Sequence, residues 1–117
     1  MRVDKFEFGR IRVDGETFDH DVVLAEGSVR KRKKGPSKRF KNEFGHTPLS
    51  LEEEIPWTKC ERLIVGTGAY GRLPVTNEVK REAERRGVEL VILPTDRAIE
   101  RINREPPRTH AILHVTC

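Results

Sequence analysis

Apolar and polar positions alternate from the start of the chain. Phe6 and Phe8 are separated by charge, as are Ile11 and Val13, which predicts half-buried strands. Asp14-Gly15 is a hairpin-turn signal between a strand ending near Val13 and one starting near Thr17. Val22-Val23-Leu24 is a short apolar run, and Glu26-Gly27-Ser28 turns the chain into Val29 to Arg32. The first third therefore reads as an antiparallel meander of three or four strands over about residues 3–33. Residues 34–47 read as irregular, punctuated by Gly35-Pro36-Ser37 and Gly45-His46-Thr47-Pro48. Ser50 with Glu53 fits a capping box for a single helical turn that buries Leu51 and Ile55 and ends at Pro56.

The pattern changes in the second half. Arg62 to Val65 predicts a buried strand, and Val79 and Ala83 give the inner face of a helix that starts near Thr76 and stops at Gly87. Val88 to Leu93 is the next strand, and Pro94-Thr95-Asp96 opens a second helix that buries Ala98, Ile99 and Ile102 and stops at Pro106-Pro107. His110 to Val115 is the last strand. The order β-α-β-α-β favours parallel neighbours with right-handed crossovers. With the meander in front, the chain reads as one α/β (mixed α+β) domain over residues 1–117, a mixed central sheet covered by helices.

Charge sharpens this picture in one place. The 117 residues carry a net charge of +4, yet Arg30 to Lys41 hold eight basic residues and no acidic one, so the remainder is acidic, with 15 basic against 19 acidic residues. Such a run suits phosphate contacts, and Lys33, Lys34, Lys38 and Arg39 are its candidate nucleic-acid residues. Only Phe40 and Phe44 offer nearby stacking surface, and no RNA- or DNA-binding motif occurs. No apolar run is long enough to span a bilayer and the start lacks a signal-peptide centre, so a cytoplasmic protein with free thiols at Cys60 and Cys117 is expected.

The stretch Leu63 to Val75 contains Gly66-Thr67-Gly68-Ala69-Tyr70-Gly71, a literal G-x-G-x-x-G. A dinucleotide site needs the helix to begin within that loop. Pro74 forbids this, because in a helix starting at Gly68 it would lie in the interior and cost about 3 kcal/mol. No Gly-Lys-Ser/Thr closes the loop, so it is not a P-loop. Two readings remain. Gly66 and Gly68 supply left-handed backbone or close packing at a strand end. Alternatively, the loop amides form a nest for a small anion, helped by Thr67 and Arg72 and edged by His46.

Other candidate chemistry is sparse. His110 and His114 share one face of the last strand, near Cys117, but no Cys-x-x-Cys or His-x-x-x-His gives zinc-ligand spacing, and neither metal nor cofactor is expected. Cys117 as a nucleophile would carry the chain's own carboxylate, which is expected to raise its pKa unless Arg or His charges outweigh it. Cys60 reads as a small apolar filler.

"LIVGTGAYGRLPV", "PTDRAIERIN" and the terminal "AILHVTC" together resemble the adipogenesis-associated Mth-like domain family, with "GHTP" similar to its His-Ser/Thr-Pro turn. The resemblance spans essentially the whole chain and looks like an archaeal member. It implies a three-layer Mth-like fold of unknown biochemical function, with relatives that include a mitochondrial complex I assembly factor. It implies no reaction, cofactor or catalytic residue, and the basic run and the third glycine depart from the family pattern.

Three functions are compatible with these features. The first is a non-enzymatic binding or assembly module acting through protein partners or self-association. The second is a small-anion binder or enzyme at Gly66, Thr67, Gly68, Arg72 and His46. The third is nucleic-acid binding through residues 30–41.

Overall fold

The computed structural model describes residues 2–104 and 108–117. Strands β1 (Val3–Glu7), β2 (Arg10–Val13) and β3 (Glu16–Phe18) form a small antiparallel sheet. A second, five-stranded sheet contains β4 (Val22–Ala25), β5 (Ser28–Lys31), β6 (Arg62–Gly66), β7 (Glu89–Leu93) and β8 (Thr109–Leu113) in the order β5-β4-β8-β6-β7. β6 lies parallel to both β7 and β8, while β4 is antiparallel to β5 and β8. The meander thus divides after Phe18. The hairpin β4–β5 joins the central sheet, because the Val22-Val23-Leu24 run is buried throughout and needs cover on both faces.

The crossovers β6-α2-β7 and β7-α3-β8 step across the sheet in opposite directions. A common right-handed sense therefore puts α2 (Asn77–Arg86) and α3 (Thr95–Ile102) on opposite faces. Val79 and Ala83 of α2 pack with Val23, Leu63, Val65 and Ile112. Ala98 of α3 packs with Ile64, Ala111 and Leu113, and Val3, Ile11 and Val13 of the small sheet close that side. The result is three layers. Helix α2 begins where Thr76 Oγ1 accepts from the Val79 amide (3.4 Å), and ends at Gly87 in the left-handed region (φ 69°). The Asn103 side chain exchanges two 3.0 Å bonds with the Val3 backbone, tying the end of α3 to β1. Helix α3 has already ended at Ile102, and the stop expected at Pro106-Pro107 lies outside the described residues.

Two local expectations are corrected. Residues 35–40 form a 3-10 segment that runs into α1 (Lys41–Phe44), where irregular chain was expected. No helix forms at Ser50. Glu53 does not reach back to a capping amide, because its carboxylate is taken by Arg32 through Nε–Oε1 and Nη2–Oε2 bonds of 2.8 Å each. Ser50 Oγ accepts from the Glu52 amide (3.3 Å) and lies 2.6 Å from Ser37 Oγ, and Leu51 is exposed while Ile55 is buried.

Arg32 also bonds Asp21 Oδ2 (2.9 Å) and the Pro48 carbonyl (3.1 Å), with only 1 % of its side chain exposed. One member of the basic run is therefore a core ion, bridging the sheet to the loop at residues 48–53. Arg39 is different: it pairs with Glu52 in solvent. Removing a buried partner leaves charges uncompensated, whereas exposed pairs contribute little. Urea denaturation should accordingly show Arg32→Leu losing about 3–5 kcal/mol and Arg39→Leu less than about 1 kcal/mol. Equal losses would contradict this division of the run.

Candidate functional site at the carboxyl ends of the parallel strands

Sheet register assembles the site. Val22 pairs with Lys31 on one side and Leu113 on the other, and Leu113 pairs with Gly66. One step beyond, Arg32, Asp21, His114 and Thr67 fall in a single row. Backbone bonds from Arg32 N to Asp21 O and from His114 N to Gly66 O (both 2.9 Å) continue the sheet into that row. Period-two alternation sets these side chains on the same face as Val23, Ile112 and Val65, the face that α2 and the loop at residues 34–57 cover.

Asp21 is the hub. Its Oδ2 accepts from Arg32 and lies 2.8 Å from His114 Nδ1, and its Oδ1 accepts from the Val115 amide (2.9 Å). Burial opposes the carboxylate, but His114, the Val115 amide and Arg32 outweigh it and hold its pKa at about 2. An ionised Asp21 can only accept, so Nδ1 of His114 carries a proton. Burial also works against a charged His114, yet the Asp21 bond and charge, with Cys117 beside it, raise its pKa. Asp21 and Glu53 thus face Arg32, and Asp21 also faces His114, whose cationic form it stabilises.

The other ring nitrogen of His114 faces the end of the sequence. Nε2 lies 3.3 Å from Thr116 Oγ1, which lies 3.7 Å from Cys117 Sγ, and that sulfur is 3.8 Å from His46 Nδ1. The His114 hydrogen bond leads the contributions that lower the Cys117 pKa, the exception allowed for in which a histidine outweighs the carboxylate. Cys60, by contrast, is buried and its pKa is raised by that burial. His110 shares the His114 face as expected, but bonds the Pro56 carbonyl (2.8 Å) at the far end of β8. Among the described residues no group of three or more His, Cys, Asp or Glu is arranged to hold a metal ion.

The glycine loop wraps this same segment. Thr67 N donates to Leu93 O, Gly68 N to Thr95 Oγ1, Ala69 N to Thr116 O and Arg72 N to Cys117 O. Thr95 Oγ1 in turn donates to His114 O (2.7 Å). A Cβ on Gly66 would lie 2.8 Å from Thr95 Oγ1. Gly68 has φ +104°, and a Cβ there would lie 2.1 Å from Thr116 O. Gly66 therefore serves close packing, and Gly68 both close packing and left-handed backbone. The structure brings Gly66, Thr67, Gly68, Arg72 and His46 together, but around the chain's own Thr116-Cys117. Sequence reasoning left out Asp21 and Arg32. Strand register supplies their signal: residues 21 and 32 end adjacent strands on the row of His114.

Outside this crevice, Lys33, Lys34, Lys38 and Arg39 are exposed, and Arg39 stacks over Phe40 (4.7 Å) besides pairing with Glu52. On the rim of the glycine loop Tyr70 and Phe8 are 69 % and 60 % exposed, with ring centroids 6.2 Å apart and Arg72 over Tyr70 at 5.9 Å.

The pH dependence of stability follows from two opposite shifts. Asp21, lowered from 3.8 to about 2, contributes stability above about pH 4 that is lost as pH falls toward 2. His114, raised from 6.5, contributes stability below about pH 6.5 that is lost as pH rises through its folded value. Thermal melts should show a plateau between these limits, and His114→Gln should abolish the decline on the alkaline side. An identical alkaline decline in the variant would assign it elsewhere.

No curated protein matches the chain. The whole chain is similar to a conserved hypothetical protein, PH1505, from Pyrococcus horikoshii OT3, with 32 % identity, TM-score 0.82 and full coverage of both chains. It is also similar to a solved protein named MT938, with 28 % identity, TM-score 0.75 and 99 % and 98 % of the two chains covered. A Mth938-like domain from Bordetella pertussis shares the fold at 21 % identity, with TM-score 0.62 over 97 % of this chain and 85 % of that one. The family described as protein of unknown function (DUF498/DUF598) matches residues 3–105. With its register, layers and glycine loop in place, the chain belongs to the DUF498/DUF598 family and has the Mth938-like fold.

Proposed function

We propose that this protein is a binding module that engages a protein partner through the rim of its glycine loop. One observation carries the reading: the loop's inner amides are filled by the chain itself, while its outer edge presents Tyr70 and Arg72 to solvent with Phe8, from the turn between β1 and β2, beside Tyr70. Tyrosine and arginine are enriched where interfaces concentrate their binding energy. Two aromatic rings left more than half exposed cost little conformational entropy on docking, because each has only two side-chain torsions. Arg72 fixes the partner's chemistry, an apolar patch bordered by a carboxylate.

The small-anion reading has less support, since an anion in the nest would have to displace Thr116 and Cys117 from Ala69 and Arg72. The nucleic-acid reading loses Arg32 to the core but retains Lys33, Lys34 and Lys38 at the surface.

A photo-crosslinking amino acid at position 70 tests the proposal in cells of the native host. It should yield discrete protein adducts that Arg72→Glu suppresses. The same group at position 44, on exposed Phe44, should not yield those adducts. Equal labelling from both positions, or no adduct at 70, would count against a docking rim.

A further inference from the structure

The mutual arrangement of Asp21, His114, Thr116, His46 and Cys117 is not used by a docking rim. Cys117 is partly exposed and stands between two imidazoles. His114 is oriented by a buried carboxylate that is itself fixed by Arg32 and the Val115 amide. This is the arrangement by which a base activates a nucleophile and a third group orients the base. Nothing in the packing of the core demands it. A strand end needs neither a charged histidine nor a thiol, and an aspartate ionised at the cost of burial is expensive unless paired.

We propose that Cys117 is a reactive thiol that undergoes exchange with low-molecular-weight disulfides, with His114 as its base and Asp21 as the residue that positions that base. The neutral His114 imidazole takes the Cys117 S–H proton at Nε2, directly or through the Thr116 hydroxyl, and the resulting imidazolium, which accompanies the thiolate, is stabilised by Asp21 accepting from the Nδ1 proton on the other side of the ring. The thiolate sulfur attacks one sulfur of the disulfide. A new S–S bond forms to Cys117, the old S–S bond breaks, and its electron pair leaves on the second sulfur. That departing thiolate takes a proton from the His114 imidazolium or from water. No external oxidant is required, because the disulfide is the species reduced.

The surroundings favour a disulfide over an acyl substrate. Acyl transfer builds an oxyanion and needs amide donors aimed at it. Here the amides of Thr67, Gly68, Ala69 and Arg72 already donate to groups of the chain. Attack at sulfur develops no oxyanion and asks only for a thiolate and an open approach. The product is a mixed disulfide with the reagent rather than a bond to Cys60. Cys60 precedes β6, and the site lies past that strand's other end. The five residues of β6 span roughly 16 Å, beyond the reach of a disulfide.

The proposal is independent of the docking rim and has its own test. Full-length protein is reacted with 2-hydroxyethyl disulfide between pH 5 and 9, and Cys117 adduct formation is followed by mass spectrometry. The same protein in urea serves as the ordinary-thiol reference. The groups facing the thiol are His114, His46 and Thr116, with Asp21, Arg32 and Glu53 behind His114 and Arg72 on the loop. Below a thiol's pKa, each unit of lowering raises thiolate about tenfold and reduces its nucleophilicity about threefold, so roughly threefold per unit remains.

The folded protein should therefore react faster than the urea reference at pH 6, by roughly threefold for each unit by which the fold lowers the thiol's pKa. Its pH profile should level off at lower pH. His114→Gln should return the rate to the reference, and His46→Ala should give a smaller loss. Circular dichroism checks that each variant is folded. Should His114→Gln fail to fold, the wild-type profile and His46→Ala decide. A folded rate no faster than in urea, or a profile climbing to pH 8.5 as an ordinary thiol's does, overturns the proposal.

Discussion

One buried guanidinium organises this molecule. Arg32 leaves the end of β5 and meets Asp21 beside it on the sheet and Glu53 from the loop that covers the sheet. Its five donors form a planar fork that suits two carboxylates and a carbonyl at once, and the geometry here uses Asp21, both oxygens of Glu53 and the Pro48 carbonyl. A lysine could not make these contacts together. Arg32 is shared between two buried carboxylates, and Asp21 also faces His114 on the next strand, whose pKa it raises. The ion cluster therefore does more than join elements. It also raises the pKa of the histidine whose far nitrogen faces Thr116.

That dependence runs on into the glycine loop. The position of His114 fixes Thr116 and Cys117, whose carbonyls accept from Ala69 and Arg72. Gly68 must lack a side chain because the Thr116 carbonyl occupies the space. Thr95 joins the two, receiving the Gly68 amide and donating to the His114 carbonyl. In open α/β sheets the crevice outside the carboxyl ends of the strands is where ligands bind. Here the chain occupies that crevice with its own segment and so places a thiol where a ligand would sit. The nest and the thiol are one construction, and neither can be altered without moving the other.

How much of this was legible in the sequence depends on the range of the forces involved. The β-α-β-α-β half was, because Val79 and Ala83, the Thr76 cap and the Gly87 stop are local signals that tertiary packing reinforces. Pro74 was enough to show that the loop does not open a helix. The Ser50–Glu53 box misled, since its Glu was claimed by an arginine 21 residues earlier in the chain, and a buried ion pair outcompetes a cap. The basic run misled at Arg32 for the same reason. In composition a core arginine and a solvated one are identical, and only the registers Val22–Lys31 and Val22–Leu113 distinguish them. His46 and the glycines lie near one another, but what fills the space between them comes from residues 114–117, which no local pattern ties to residue 68.

The same reasoning separates structure from chemistry within the cluster. Arg32, Glu53 and Ser37 would form a satisfied buried network without any histidine, since Ser37 Oγ also donates to Glu53 and every buried side-chain polar atom among the described residues has a partner. Asp21 is the member held in common. Its Oδ1 serves the backbone of the segment after β8, and its Oδ2 is shared between a permanent cation and a titratable one. Directing one lone pair at an imidazole whose far nitrogen faces Thr116, next to a partly exposed thiol, couples the stability of the buried cluster to the surroundings of Cys117.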